Sequence, residues 1–347
     1  MSTAIFYSEE FLKHNPGLNH PERPERLKVI VREIRRAGFL SSGKCVMLNP
    51  RKASKNDLFL VHKRDYVELV KKYCELGGGL LDLGDTIVSK ESFESAVYAV
   101  GASIQAVDLI VNGCYKYVFA LVRPPGHHAG PSYACGFCIF NNVALAAKHL
   151  IERRNLNRIL IVDLDAHHGN GTQEIFYDTN KVLYMSIHQN PMGFPGTGFE
   201  DEVGSGEGLG YTVNIPLPYR AGDETYLKAV EQIVTPIVED YKPQITLVSI
   251  GFDVHYTDPI ARLSLTAYGQ LEALKKILSL VGKAAFILEG GYSLNFIGRM
   301  AAADIAFMAG LEYELRDKRV QSPNSVRARA ESIIREVKRI QSKFWSL

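Results

Sequence analysis

Five short apolar runs in this chain end in the same way, on residues that titrate or form hydrogen bonds. Leu121-Val122 runs into Arg123-Pro124-Pro125-Gly126-His127-His128. The run 159–162 leads into Asp163-Leu164-Asp165-Ala166-His167-His168-Gly169-Asn170. The run 184–187 stops at His188, the run 247–250 at Gly251-Phe252-Asp253, and the run 286–288 at Glu289-Gly290-Gly291-Tyr292. Short Val-, Ile- and Leu-rich runs separated by amphipathic stretches are the pattern of βα units around a mostly parallel sheet. In such sheets ligands bind beyond the carboxyl ends of the strands. One run ending this way says little, but five predict a site along one edge.

The strands expected are 117–122, 158–163, 182–188, 211–215, 245–250 and 284–288. The helices expected are 24–37, 64–73, 91–111, 142–153, 223–240, 267–281 and 295–309. No linker or repeat divides the 347 residues, so one α/β domain over 1–347 is expected. A last helix, about 325–345, puts Val326, Ala330, Ile333, Val337, Ile340 and Phe344 on one face and should dock by it. The basic stretch 23–36 alternates with Glu22, Glu25 and Glu33 and reads as a solvated face.

Composition excludes several classes of function. A net charge of +2 gives no reason to expect nucleic-acid binding. The best apolar candidate for a membrane span, 97–111, is broken by Gln105 and Asp108, and residues 1–15 lack a signal-like apolar core. A cytoplasmic protein without membrane contact is therefore expected. Five scattered cysteines do not make a secreted disulfide framework. Cys135-x-x-Cys138 lacks the second pair of a zinc ribbon and does not open a helix, so it carries no redox or metal assignment.

In Asp163-x-Asp165-x-His167, alternation places three side chains on one side of an extended backbone. Asp165 and His167 offer an oxygen and a nitrogen to a metal, and Asp253 offers a second oxygen. Three protein ligands with a fourth position open is the catalytic zinc pattern, although a set without thiolate also suits Fe²⁺, Mn²⁺ or Co²⁺. Helix capping would explain one of the aspartates but not the whole motif. His127-His128, after two prolines and a glycine, reads as an acid/base pair, with Asp163 and Asn170 as candidate tautomer-fixing partners. Tyr292, after two glycines, is a candidate donor to a developing oxyanion.

These residues resemble the histone deacetylase superfamily, which includes acetylpolyamine amidohydrolases and prokaryotic deacetylase-like proteins. The matching segments are HPERPERL from His20, RPPGHHA from Arg123, GFCIFNN from Gly136 and VDLDAHHGNGT from Val162. FPGTG from Phe194, GFDVHYTDP from Gly251 and EGGYS from Glu289 follow in the family's order. HPERPERL and the GFD form look closer to the class II branch. The resemblance implies an arginase-like fold, an eight-stranded parallel sheet flanked by helices, and hydrolysis of an acylated amine by metal-activated water. It implies metal ligands Asp165, His167 and Asp253, with Zn²⁺ or, in the cell, Fe²⁺. His128 would be the general base and acid, His127 its electrostatic partner held by Asp163, and Tyr292 the oxyanion donor.

The resemblance further implies a narrow substrate channel between Phe137 and Phe194, with Gly136 letting an acyl-lysine stem pass. It implies a potassium site using Asp163, Asp165, His167, Ser186 and Ile187. Asn170 stands where class I members carry Asp, which leaves His128 a neutral partner. Ile260, near the channel mouth, supplies no carboxylate for the distal ammonium of a polyamine. Acetyl-lysine in a protein or peptide is therefore the first expectation, and an acetylpolyamine or other small acyl-amine the second. An arginase-like two-metal site would need a further carboxylate where His168-Gly169 stands. A binding module that has lost catalysis would lack one of these groups, and none is missing. No long insertion announces a dimerisation arm, and the oligomeric state stays open.

Overall fold

A computed structural model describes residues 3–347. Its main sheet is built from β1 (Thr3–Phe6), β2 (Cys45–Leu48), β5 (Tyr117–Ala120), β6 (Ile159–Asp163), β7 (Val182–Gln189), β8 (Thr212–Leu217), β9 (Ile245–Ile250) and β10 (Ala284–Leu288). The order is β2-β1-β5-β10-β9-β6-β7-β8, and every pairing is parallel. β3 (Gly78–Leu80) and β4 (Ile87–Ser89) form a separate antiparallel hairpin. The six central and right-hand strands match the six expected, within a few residues at their ends. β1 and β2 were not expected. β1 is a four-residue run at the very start of the chain, and β2 is an edge strand with only Cys45 buried, so neither shows a long apolar signal.

Helices cover both faces, as a buried parallel sheet requires. They are α1 (Glu25–Arg36), α2 (Lys55–Leu58), α3 (Arg64–Glu75), α4 (Ser92–Val111), α5 (Asn142–Arg154) and α6 (Asn170–Phe176), followed by α7 (Asp223–Ala229), α8 (Thr235–Tyr241), α9 (Ala267–Leu280), α10 (Ile297–Ala309) and α11 (Asn324–Gln341). The helix expected over 223–240 is interrupted by a π turn at Val230–Val234. The Thr235 N–H reaches back to the Val230 carbonyl across this widened turn, and Pro236, which has no N–H to donate, sits in the first turn of the helix that follows. α4 is long and apolar enough to cross a membrane by length and composition. In this fold 67% of that stretch is buried, packed on α5, β5 and β10.

α11 turns Ala330, Ile333, Ile334, Val337 and Ile340 inward against β8 and α7. Gln341 donates to the carbonyl of Thr212 at 3.0 Å and the Trp345 indole to that of Gly210 at 2.9 Å. The terminal helix thus closes over the outermost strand, where unpaired backbone would otherwise face solvent.

One buried carboxyl lies outside the cavity lining. Asp304 of α10 has no solvent exposure and a single side-chain partner, Gln270 Nε2 at 3.0 Å. Burial pushes its carboxyl up to about 8, against the small opposing effect of Gln270. A carboxyl raised on folding stabilises fully below its unfolded pKa, and that contribution is lost as pH rises through the folded value. Asp304→Asn is therefore expected to melt close to wild type near pH 4 and progressively above it toward pH 9. Parallel Tm curves across that range would refute this.

Candidate metal centre

β6 ends at Asp163, after which the chain leaves the sheet and the next residues fan out above it. Asp165, His167 and, from the turn after β9, Asp253 converge there, their ligand atoms all within 4.8 Å of one another. His167 Nδ1 stands 3.0 Å from Asp253 Oδ2 and 3.3 Å from Asp165 Oδ1. Backbone donors fix the carboxylates: Gly290 N–H reaches Asp165 Oδ2 at 2.7 Å, and Ala166 N–H reaches Asp253 Oδ1 at 3.0 Å. A Cβ on Gly290 would lie 2.5 Å from Asp165 Oδ2, so this close approach requires glycine.

Four acidic side chains, Asp163, Asp165, Asp253 and Glu289, are fully buried around this point. Burial, reinforced by the Asp165 charge, pushes Asp253 up to about 7. Burial acts on Asp165 too, but His127 and His167 outweigh it and hold this carboxyl well below its ordinary range. Burial opposes charge on His167, yet Asp165 and Asp253 lift it to about 10. Such a cluster has excess negative charge and only imidazole protons to offset it. Two carboxylates and one imidazole, without thiolate, fit a divalent cation, which would take the place of a proton on His167 Nδ1.

The tandem histidines take opposite states. His127 Nδ1 is 3.0 Å from Asp163 Oδ2; burial disfavours its charge, but Asp163, Asp165 and Glu289 raise it to about 10. His128 is lowered well below the ordinary histidine range, first by burial and then by the charges of His127 and His167. Its Nδ1 lies 2.8 Å from Asn170 Oδ1. The sequence pairs the two rings, and their surroundings push them in opposite directions, His127 toward its cation and His128 toward its neutral form.

A cavity opens above His128 and His167, lined by Gly136, Phe137, Phe194, Ile260 and Tyr292. The Phe194 ring sits 4.8 Å from that of His128, and the Phe137 ring 5.8 Å from that of Tyr292. Gly136 and Phe137 both have left-handed backbones, at φ 53° and 68°. A Cβ on Gly136 would come 2.6 Å from His128 Cδ2 and 2.8 Å from Phe194 Cζ, filling the channel. Ser186, expected with Ile187 at a potassium site, lies opposite Asp163 in the β6–β7 ladder. Both residues are buried, and Ser186 Oγ bonds His188 Nδ1 at 2.7 Å.

The sequence reading missed several residues. Arg26 and Glu22, counted with a solvated basic stretch, have no exposure at all. Arg26 Nε donates to Gly291 O at 2.7 Å, and its guanidinium lies 5.0 Å from the Tyr292 ring. Glu22 bridges Arg26 at 3.0 Å and the equally buried Arg123. Removing one partner from such an ion group costs about 3–5 kcal/mol. Asp258 accepts the Tyr292 N–H at 2.7 Å. Asp85, from the β3–β4 hairpin, and Arg262 line the same cavity. The HPERPERL motif was a signal for Arg26 and Glu22, but nothing local announced Asp85 or Arg262. Cys135 and Cys138 are free and exchange backbone hydrogen bonds across the Gly136-Phe137 turn.

An O₂N donor set beneath a narrow aromatic channel, at the carboxyl edge of a parallel α/β sheet, defines a metal-centred hydrolase site. The chain belongs to the histone deacetylase domain family, whose model matches residues 20–308. It is 40% identical to a probable deacetylase of Archaeoglobus fulgidus, over 99% of both chains. It is 38% identical to histone deacetylase 15 of Arabidopsis thaliana, over 99% of this chain and 63% of that protein. The crystal structure of the HDA15 HD domain matches with a TM-score of 0.90 at 37% identity, covering 99% of this chain and 95% of that one. The arginase-like fold and deacetylase membership are thereby established.

Calorimetric titration of the chelator-treated chain with Zn²⁺ is expected to show one high-affinity site, lost in Asp253→Ala; retention of that site in the variant would remove Asp253 from the ligand set. Gly136→Ala is expected to bind Zn²⁺ normally and to lose turnover. Undiminished turnover would mean that substrate does not pass Gly136.

Proposed function

We propose that this chain is a zinc-dependent deacetylase that hydrolyses acetyl-lysine in proteins or peptides, with Fe²⁺ an alternative metal in the cell. The observation that carries this is the Asp165–His167–Asp253 cluster at the base of the Phe137–Phe194 channel, flanked by His127 against Asp163 and His128 against Asn170. When bound, the divalent cation polarises the amide carbonyl and makes water acidic enough to attack at neutral pH. His128, neutral and with Nδ1 engaged by Asn170, accepts the proton of that water at Nε2. It later delivers the proton to the departing amine nitrogen, as the C–N bond breaks and acetate forms.

His127, charged and held by Asp163, offsets the negative charge that develops beside it. Tyr292 keeps its hydroxyl proton because burial raises its pKa well above ordinary tyrosine, so it donates to the amide oxygen as that oxygen gains charge. Phe137 and Phe194 hold the alkyl stem and exclude water. Potassium near Asp163, Asp165, His167, Ser186 and Ile187 is proposed as a structural ion.

A second reading rests on Asp85. Ile260 brings no carboxylate to the mouth, but Asp85 does, from a different loop, and it could meet the distal ammonium of an acetylpolyamine. Arg262 at the same mouth, its guanidinium 5.2 Å from the Tyr219 ring, opposes that by its positive charge. The zinc-loaded enzyme, offered an acetyl-lysine peptide and N-acetylputrescine, is expected to prefer the peptide; preference for N-acetylputrescine would select the second reading. Tyr292→Phe is expected to lower kcat by about 10²–10³ with zinc binding intact. Turnover of neither substrate would sink the deacetylase reading.

A further inference from the structure

Asn170 poses a problem that an aspartate in its place would not. A carboxylate beside His128 Nδ1 can only accept, so it forces the proton onto Nδ1 and leaves Nε2 bare. An amide has two faces. With its oxygen toward His128 it does the same, but with its NH₂ toward His128 it drives the proton to Nε2. That ring could not accept a proton from water. Something must set the polarity of the amide.

The structure supplies it in two bonds. Asn170 and Glu174 stand one turn apart on α6, and the hydroxyl of Tyr133 lies over both. Tyr133 donates to Glu174 Oε2 at 2.6 Å, and its oxygen accepts from Asn170 Nδ2 at 3.4 Å. Asn170 Oδ1 then faces His128 Nδ1 at 2.8 Å. The direction of every bond follows from the carboxylate. Glu174 can only accept, so Tyr133 must donate to it; the Tyr133 oxygen must then accept, so Asn170 turns its NH₂ outward and its oxygen inward. The ring of Tyr133 is fixed in turn by Gly130, where a Cβ would come 2.2 Å from Cε1. Tyr133 is half-buried, Glu174 is exposed, and neither lines the substrate channel.

We infer that Tyr133 and Glu174 are positioning residues that set the tautomer of His128 through Asn170. The inference rests on the reading of His128 as the acid/base. Tyr133→Phe removes the acceptor for the amide NH₂ and frees Asn170 to flip. It is expected to lower kcat by about tenfold, with KM for the acetyl-lysine peptide little changed. In the Asn170→Asp background, where a carboxylate dictates the tautomer directly, the same change should cost less than about twofold. Glu174→Ala, at an exposed position that leaves packing alone, should lower kcat in the same direction as Tyr133→Phe.

The decisive readout needs no turnover. In zinc-loaded enzyme labelled with ¹⁵N-histidine, the His128 resonances, assigned by their absence in His128→Gln, should show the Nδ1–H form in wild type. A mixture of both tautomers is expected in Tyr133→Phe, and the Nδ1–H form alone in Asn170→Asp/Tyr133→Phe. An equal loss of kcat from Tyr133→Phe in both backgrounds would make the role merely structural and overturn the proposal. A His128 spectrum unmoved by Tyr133→Phe would overturn it as well. If wild type turns over no acyl-amine, the deacetylase reading falls, and the histidine spectra alone decide the relay.

Discussion

Negative charge buried without solvent is the constraint from which most of this structure follows. Asp163, Asp165, Asp253 and Glu289 lie at the ends of three adjacent central strands, where each would repel the others in a low-dielectric interior. What makes the arrangement tolerable is a dense set of fixed donors. Gly290, Ala166, His167, Gly126 and His127 all turn backbone N–H groups onto carboxylate oxygens. These donors are possible because the chain leaves the sheet in tight, glycine-rich turns. A divalent cation would complete the balance, and the sheet holds the residues that would bind it to a geometry that loops alone could not fix.

The same charge cluster sorts the two histidines. Both rings are fully buried, so desolvation acts on each in the same sense. Asp163, Asp165 and Glu289 raise the first, while burial and the charges of His127 and His167 lower the second, which has only a neutral amide against it. The same buried carboxylates thus favour charge on one imidazole, and that charge in turn disfavours it on the other.

Much of this was legible in the sequence, because the site is made of strand ends and strand ends carry a local signal. An apolar run followed by Asp-x-Asp-x-His is readable without neighbours, and so is Pro-Pro-Gly-His-His. The convergence of 127–128, 163–170, 253 and 292 followed from the parallel-sheet rule alone. What stayed hidden was set by tertiary contact. Arg26 sits in a helix whose other charges do face water, so periodicity could not single it out. Asp85 reaches the cavity from a hairpin too short to announce itself, and β1 and β2 are too brief and too near an edge to show. The role of Tyr133 depends on a bond to the side of α6, which no spacing in the sequence encodes.

The ion group formed by Glu22, Arg26 and Arg123 joins parts of the chain that are made at very different times. Arg26 donates to Gly291, 265 residues further along, and Arg123 is bound to the same glutamate from the middle of the chain. During synthesis Arg26 leaves the ribosome long before the turn after β10 that carries Glu289 to Tyr292. Until then Arg26 lacks its Gly291 acceptor and Asp165 lacks the Gly290 donor. A nascent chain that stops short of residue 289 therefore carries the histidines and aspartates without the contacts that hold them in place.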